Sequence, residues 1–270
     1  MDLARRLRLR PGDRVHLADV DAAGTHGFEK GDDLDKALAK NLARLDELQY
    51  VMYAEHRRAL LVVLQGMDAS GKDGTIRHVM TGFNPQGCRV TSFKLPTSVE
   101  LAHDFLWRVH QVAPGKGDVA IFNRSHYEDV VVVRVHKLVP VSVWKRRYDH
   151  INDFERQLAD NEVVIVKVFL HISKDEQKQR LLRRLEDPKR HWKVSLSDFE
   201  DRKRWKDYQR AYEDAITECN TKDAPWYVVP ADKKWFRNLA VSQILVETLE
   251  ALDMRFPKPT VDLASIKLDA

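Results

Sequence analysis

The stretch "LLVVLQGMDASGKDGTIRHV", residues 60–79, joins a run of apolar residues to a glycine-rich turn and then to a helix-forming segment. Gly66, Gly71 and Lys72 fit the spacing G-x-x-x-x-G-K, in which backbone amides surround a phosphate and the lysine reaches it. The next position normally carries a serine or threonine hydroxyl that binds magnesium, but here it is Asp73. The stretch therefore predicts a phosphate site whose metal ligand lies elsewhere.

Asp68 is the candidate metal ligand within this loop. A carboxylate would repel the bound phosphate unless a magnesium ion bridged the two groups. The alternative roles are a turn former for Asp68 and, for Asp73, a negative charge favoured at a helix start. The alternative for the whole motif is a glycine-rich turn with a solvated lysine. We expect the phosphate-binding loop to comprise Gly66, Ala69, Ser70, Gly71, Lys72, Asp73 and Gly74.

Composition limits the class of protein. The chain has 270 residues, of which 43% are hydrophobic and 32% charged, as in soluble globular proteins. No apolar run approaches the roughly 18 residues that a membrane span needs, and the first residues lack the apolar core of a secretion signal. The two cysteines, Cys88 and Cys219, indicate no disulfide framework. We therefore expect a cytoplasmic protein without membrane contact.

Apolar strands alternate with helical segments along the chain. The strands are predicted at residues 60–64, 88–93, 119–122, 163–172 and 226–229, and the helices at 33–58, 72–80, 98–111, 143–158, after Ser173 and at 233–252. This alternation predicts an α/β fold with a five-stranded parallel sheet and helices on both faces, in which ligands collect at the carboxyl ends of the strands. We expect an arm at residues 1–32, on the body or partly disordered, one domain at 33–256 and a tail at 257–270.

Polar residues directly follow the predicted strand at residues 119–122. Asn123 occupies the position that usually orders the metal with an aspartate, and Glu128 could restore the missing carboxylate. Arg124 would direct a planar guanidinium at a phosphate. The alternative is that Arg124 and Glu128 only pair with each other at a helix start.

Basic residues concentrate in residues 178–206, which hold eleven Lys/Arg and five Asp/Glu. We expect Arg180, Arg183 and Arg184 on one helix face, with the core taking Leu181, Leu182 and Leu185. Beyond Pro188 the chain is too polar for a core, and it carries Lys189, Arg190, His191 and Lys193. We interpret residues 187–204 as a mobile cationic lid over the phosphate site; the alternative is a solvated charged face.

Several motifs together resemble the family-2 polyphosphate kinases: "GMDASGKDGT", "GFNPQGCRV", "SFKLPT", "HDFLWRVH", "FNRSHYEDV", "DPKRHWK" and "DAPWYVVPADKKWFRN". The resemblance runs over residues 33–256 and implies a thymidylate-kinase-like P-loop fold of three layers with a basic lid. By matching position, it implies that Asp68 and Lys72 are the essential loop residues. It places Asn123 and Arg124 at the family's Asp-Arg pair.

The resemblance also implies the activity. It implies a reversible, magnesium-dependent transfer of phosphate between inorganic polyphosphate and AMP, ADP or ATP, with manganese as a substitute metal and guanine nucleotides as further substrates. Asn123 with Glu128 resembles the subgroup that phosphorylates both AMP and ADP. We expect catalysis by Asp68, Lys72, Asn123, Arg124 and Glu128, metal binding by Asp68, Asn123 and Glu128, and phosphate contacts from Arg183, Lys189 and Arg190. A homo-oligomer of two or four copies is implied by the resemblance alone.

Two other functions agree with a phosphate loop. One is an ATP-dependent nucleoside or nucleotide kinase, which would need an adenine pocket for its donor. The other is a P-loop protein that binds nucleotide or RNA without transferring phosphate. No RNA-binding motif or alternation of aromatic and basic residues occurs in the sequence, so we expect no nucleic-acid partner.

Overall fold

The computed structural model describes residues 3–266, and at its centre lies a sheet of five parallel strands. The strands are β1 (Ala59–Gln65), β2 (Cys88–Ser92), β3 (Val119–Asn123), β4 (Val163–His171) and β5 (Trp226–Pro230). Their order in space is β2-β3-β1-β4-β5, so the strand that leads into the phosphate loop is central. The predicted α/β class and five-stranded parallel sheet are confirmed.

Helices cover both faces of the sheet. Within the described residues they are α1 (Leu3–Leu7), α2 (Asp32–Glu55), α3 (Lys72–Val79), α4 (Ser98–Leu101), α5 (Trp107–His110), α6 (Glu128–Val135), α7 (Val141–Asp160), α8 (Lys174–Glu186), α9 (Leu196–Lys203), α10 (Trp205–Glu218) and α11 (Lys234–Glu250). One hydrophobic cluster holds β1 residues together with α6, α7 and α10. The other holds β1 residues together with α1, α2, α3 and α11.

Strand β1 shows why its sequence is continuously apolar. Leu61 and Val63 belong to one hydrophobic cluster, and Leu60, Val62 and Leu64 belong to the other. Every residue of β1 is buried. A strand buried on both faces cannot alternate between apolar and polar residues.

The N-terminal arm lies against the edge strand β5. Leu3 and Leu7 of α1 are buried in the cluster that contains α11. The amide of Leu9 donates to the carbonyl oxygen of Trp226 at 2.9 Å, and Arg8 forms an antiparallel bridge with Tyr227. The arm therefore covers an edge whose backbone groups would otherwise be open to pairing.

The prediction of a single amphipathic helix at residues 98–111 is wrong. The segment forms α4 and α5, which are separated by a turn. The turn arises because the Asp104 carboxylate accepts a hydrogen bond from the amide of Leu106 at 2.9 Å, which competes with helix continuation. Leu101, expected on the apolar face, is 70% exposed.

Among the described residues, no helix is both long and apolar enough to cross a membrane.

Candidate functional site

The loop of residues 66–71, between β1 and α3, has a sharply turned backbone. Gly66 has φ +147°, and a Cβ there would lie 2.7 Å from the carbonyl oxygen of Leu170. Gly71, which precedes α3, has φ +110°. Ala69 also takes a left-handed conformation, with φ +62°, which costs free energy in a residue with a side chain. A fixed turn between a buried strand and a helix is the arrangement in which backbone amides can face an anion.

Arg180 holds the loop in this shape. Its side chain on α8 is buried, and its Nη1 donates to the carbonyl oxygens of Ala69 and Ser70 at 2.9 and 2.8 Å. Its Nη2 donates to the carbonyl oxygens of Ala231 and Asp232, and its Nε donates to Glu176. All of its N–H directions are therefore used. Arg180, predicted to share a helix face with Arg183 and Arg184, is thus occupied by the loop.

Lys72 begins α3 with a buried ammonium group. Its Nζ donates to the carbonyl oxygen of Gly66 at 2.6 Å and to that of Met67 at 3.3 Å. Burial, and secondarily the positive charge of Arg124, lowers the pKa of Lys72 to about 8. A buried cation of this kind gains from a bound anion, because the anion supplies the countercharge that water no longer provides.

Arg124 connects the two candidate carboxylates. It follows β3 in a left-handed conformation with φ +62°. Its Nη2 lies 2.7 Å from Asp68 Oδ1, and its Nη1 lies 3.4 Å from Glu128 Oε2. The carboxylate of Glu128 raises the pKa of Arg124, so the guanidinium stays charged, whereas burial raises the pKa of Glu128. The structure brings together Asp68, Arg124 and Glu128. The pairing of Arg124 with Glu128, given above as the alternative to a phosphate contact, is present as one part of this group.

A buried network anchors the segment that carries Arg124. Ser125 Oγ accepts from the side chain of Gln65 at 3.1 Å. The Tyr127 hydroxyl donates to Glu155 at 2.8 Å and accepts from Lys167 at 2.9 Å. These side chains are buried in the sheet and beneath it. The strained backbone at Arg124 is therefore fixed by contacts on the core side of the segment.

Asn123 and Asp73 form a second contact between the two loops. Asn123 Nδ2 lies 3.0 Å from Asp73 Oδ1, and Lys193 Nζ lies 3.0 Å from Asp73 Oδ2. Burial opposes ionisation of Asp73, but the hydrogen bonds from Lys193 and Asn123 outweigh it and lower the pKa of Asp73. Asp73 thus has a function in the structure that a serine or threonine could not supply: it contacts a cation of the lid, the segment of residues 187–204.

The predicted lid, residues 187–204, lies against the body of the protein. It contains a 3-10 turn at Pro188–Lys193 and helix α9. Arg184 Nη1 pairs with Asp198 at 2.7 Å. Arg202 on α9 donates to Gln177, whose amide donates to the carbonyl oxygen of Asp68 at 3.0 Å. Two residues of the lid are therefore connected to the phosphate loop. Lys193 contacts Asp73 directly, and Arg202 reaches Asp68 through Gln177.

The other cations predicted to contact phosphate pair with nearby acidic residues or are exposed. Arg183 pairs with Glu176 at 2.9 Å, and Arg190 pairs with Asp187 at 2.8 Å. Lys189 is exposed. Lys193, named at the sequence level only as a member of the basic segment, is the lid residue that contacts Asp73. The prediction that Leu182 and Leu185 join the core is wrong, because both are exposed and only Leu181 of the three is buried.

Cations also gather beside the lid at the start of α11. Burial, followed by the charges of Arg180, Arg183, Arg190 and Arg237, lowers the pKa of Lys234. Gln177, Arg237 and Asp198 were not among the predicted site residues. A signal for Arg237 was available, because basic residues in the first turn of a helix oppose its dipole and so need another reason to be there.

The family model for polyphosphate kinase 2 matches residues 29–257, most of the chain. The chain belongs to the polyphosphate kinase 2 family. It is 56% identical over 256 residues to an AMP/ADP-polyphosphate phosphotransferase from Meiothermus ruber, with 94% of this chain and 96% of that protein covered. It is 44% identical to an ADP-polyphosphate phosphotransferase from Rhodopseudomonas palustris, with 95% and 93% covered.

Comparison with solved structures gives the same family. The crystal structure of polyphosphate kinase 2 from Arthrobacter aurescens TC1 superposes with a TM-score of 0.93 at 44% sequence identity, covering 98% of this chain and 95% of that chain. The resemblance drawn from the motifs and the predicted P-loop kinase-like fold are therefore confirmed.

Polyphosphate kinase 2 enzymes generally use a divalent metal. Magnesium in such sites is held by one or two carboxylates and completed by substrate phosphates and water. Asp68 and Glu128 suit this pattern, because both reach the same guanidinium of Arg124. Within residues 3–266, no group of three His, Cys, Asp or Glu side chains is placed to hold a metal. The residues fit a metal that the substrate helps to bind, rather than one enclosed by protein alone.

Proposed function

We propose that this protein transfers phosphoryl groups from inorganic polyphosphate to AMP and ADP, and also catalyses the reverse transfer. The observation that carries the proposal is the meeting of three cations from separate elements, Lys72, Arg124 and Lys193, around the acidic residues Asp68 and Asp73. The printed activities of the relatives from Meiothermus ruber and Rhodopseudomonas palustris support the same substrates.

The cations beside the lid support a polymeric donor. Arg183, Arg190 and Arg237 lie close enough for their charges to lower the pKa of Lys234. A chain of phosphates carries negative charge along its whole length, whereas a nucleotide ends in an uncharged base. We therefore place the donor chain along these cations and its terminal phosphate at the phosphate loop.

In the forward step, a terminal phosphate oxygen of AMP or ADP attacks the terminal phosphorus of polyphosphate. The new P–O bond forms as the bond to the next phosphate breaks, and the shortened chain keeps the negative charge. Lys72 and Arg124 stabilise charge on the transferred phosphoryl group. Lys193 holds the lid against the loop through its contact with Asp73. The attacking oxygen is already ionised near neutral pH, so no strong general base is needed. Asp68 orients that oxygen.

We assign the metal ligands to Asp68, Asn123 and Glu128. Magnesium, or manganese in its place, would supply charge neutralisation between phosphate oxygens. Asp68 and Glu128 would hold the metal with the carboxylates that pair with Arg124 here, and the guanidinium of Arg124 would then contact phosphate. Asn123 brings no charge of its own, which we connect with the use of AMP as well as ADP.

Incubation with polyphosphate, magnesium and either AMP or ADP tests the function, with products separated by chromatography. We expect ADP and ATP from AMP, and ATP from ADP; guanine nucleotides are tested in the same way. Formation of product only when ATP is the donor would show an ordinary nucleotide kinase instead.

Two variants test the assignment of the loop. K72M and D68N should each lower turnover by at least about a hundredfold, as loss of a transition-state contact does, while the circular dichroism spectrum stays that of the native protein. K203M is the matched control, because Lys203 lies on helix α9 of the lid and pairs with its neighbour Glu200 at 2.7 Å. Activity near the native level in either loop variant would remove that residue from the mechanism.

A further inference from the structure

Arg237 places a buried guanidinium against the phosphate loop. The residue lies in the first turn of α11 and is 2% exposed. A Cβ on Gly71 would lie 1.9 Å from its Nη1, and one on Gly74 would lie 3.0 Å from its Nη2. Side chains at these two positions are excluded because the guanidinium occupies the space next to the loop and the start of α3.

Among the described residues, no acidic side chain pairs with the positive charge of Arg237. Its Nε and Nη2 donate to the side-chain oxygen of Asn238 at 3.2 and 2.8 Å. No carboxylate within residues 3–266 forms a salt bridge with it. Burial, together with the charge of Arg180, lowers the pKa of Arg237 to about 10. The group therefore remains a cation at neutral pH, at a cost in free energy of desolvation.

Arg180 is the contrasting case. It lies beside Arg237 and is also buried, but it donates to four backbone carbonyl oxygens and pairs with Glu176. Arg180 accordingly fixes the shape of the loop. Arg237 makes none of these contacts to the loop, so shaping the loop does not explain why a charged residue is buried there.

We propose that Arg237 is a built-in countercharge for the phosphate chain that binds at the loop. This inference rests on the proposed function. In the empty protein the unpaired cation lowers stability, and a bound phosphate chain offsets its charge through the glycines that separate them. Arg237 therefore lowers the stability of the protein without ligand and raises its affinity for the anion.

Thermal unfolding and calorimetric titration with tripolyphosphate test this proposal. We expect R237M, which keeps the bulk of the side chain but not its charge, to melt at a higher temperature than the wild type without ligand. Its affinity for tripolyphosphate should fall about tenfold, the order expected for one charge near a partly screened anion. R237K, which keeps the charge, should retain most of the affinity.

The control is R58M. Arg58 lies at the opposite end of β1, where it pairs with Glu55 at 3.0 Å. Its removal should lower the melting temperature and leave the affinity for tripolyphosphate unchanged. The inference is overturned if R237M binds tripolyphosphate as the wild type does, or if R237M is unfolded or less stable than the wild type without ligand.

A parallel titration with ATP separates this inference from the proposed function. A wild type that binds ATP but not tripolyphosphate contradicts polyphosphate as donor, and a weaker response of R237M to ATP still supports Arg237 as a countercharge. A wild type that binds neither anion overturns both.

Discussion

A buried ammonium group beside a second cation loses its proton more easily than a free lysine, and Lys72 meets both conditions. Its Nζ donates to the loop's own carbonyl oxygens, Gly66 and Met67. These contacts keep the amine at the centre of the loop before a phosphate arrives. The same surroundings make its charge sensitive to pH in the free protein.

The pKa of about 8 for Lys72 predicts a pH dependence. In the free enzyme the amine becomes neutral as pH rises through that value, so we expect kcat/KM for polyphosphate to fall above pH ~8, because this ratio reports ionisation of free enzyme. The value of kcat should persist to higher pH, since bound phosphate favours the charged amine. Steady-state rates measured from pH ~6 to ~10 test both expectations. A kcat/KM that stays level across this range would contradict them.

Stability gives an independent reading of the same group. The folded pKa of Lys72 lies below its ordinary value of 10.5. Between the two values the unfolded chain binds more protons, so this residue makes the unliganded protein more stable as pH rises through that interval. K72M should lack this increase, and a calorimetric melting series with pH shows the difference.

Some site residues could be predicted from sequence because local spacing determines them. Gly66, Gly71 and Lys72 lie in one short motif, and Arg124 follows a recognisable strand. Arg180 and Arg237 could not be placed in this way, since their roles depend on how α8 and α11 pack against the loop. Asp73 was recognised as unusual, but its contact with Lys193 joins residues 120 positions apart.

At the scale of elements, the lid and the phosphate loop are joined by an exposed ion pair. Asp73 is 65% exposed and Lys193 is 34% exposed, so their ion pair is worth at most about 1 kcal/mol. An ion pair of this strength adds only slightly to the stability of the contact between the lid and the loop. The pair Arg184–Asp198 is less exposed and holds α9 to α8.

A double-mutant cycle on Asp73 and Lys193 tests the role of the lid contact. We expect D73N and K193M each to lower kcat/KM for polyphosphate about fivefold, and the double variant to lose little more than either, because the two residues act through one contact. K203M, on helix α9 of the lid, again serves as the control. Losses that simply multiply in the double variant would show that the two residues act independently.

Helix α6 shows where sequence patterns fail for elements. Its sequence EDVVVVRV is rich in β-branched residues, which favour strands, and a helix start near Glu128 was predicted only as an alternative. The segment is helical because Val130, Val131 and Val135 are buried in the cluster shared with α7 and α10. Tertiary packing overrides the local preference. Strands β1, β3, β4 and β5 were predictable, because a buried strand needs the continuous apolar run that the sequence shows, whereas β2 is partly exposed.

At the scale of the whole molecule, the N-terminal arm contributes to the folded body. Leu7 is 4% exposed and Leu17 is 1% exposed. His171, at the end of β4, contacts the carbonyl oxygen of Val20 at 3.0 Å. The arm therefore reaches the edge of the sheet at which the site lies. The boundary predicted near residue 32 stays a prediction about domain organisation, but these residues are part of the core.

Truncation of Leu7 measures that contribution. We expect L7A to lower the free energy of unfolding by about 2–5 kcal/mol, the range for a large buried side chain cut to alanine. Urea unfolding gives the value, provided that the slope with denaturant is unchanged. L263A is the control, because Leu263 is 62% exposed. Equal unfolding midpoints for the two variants would show that the arm contributes little to stability.

Trp192 gives the protein an intrinsic optical reporter. Its indole is 77% exposed, and Lys193 Nζ lies 4.9 Å from the ring centroid. The other five tryptophans are buried or half-buried. Iodide will therefore quench emission mainly from the segment that covers the phosphate loop. Any change in the exposure of this segment can be followed in real time on the unlabelled protein, without substitution or dye.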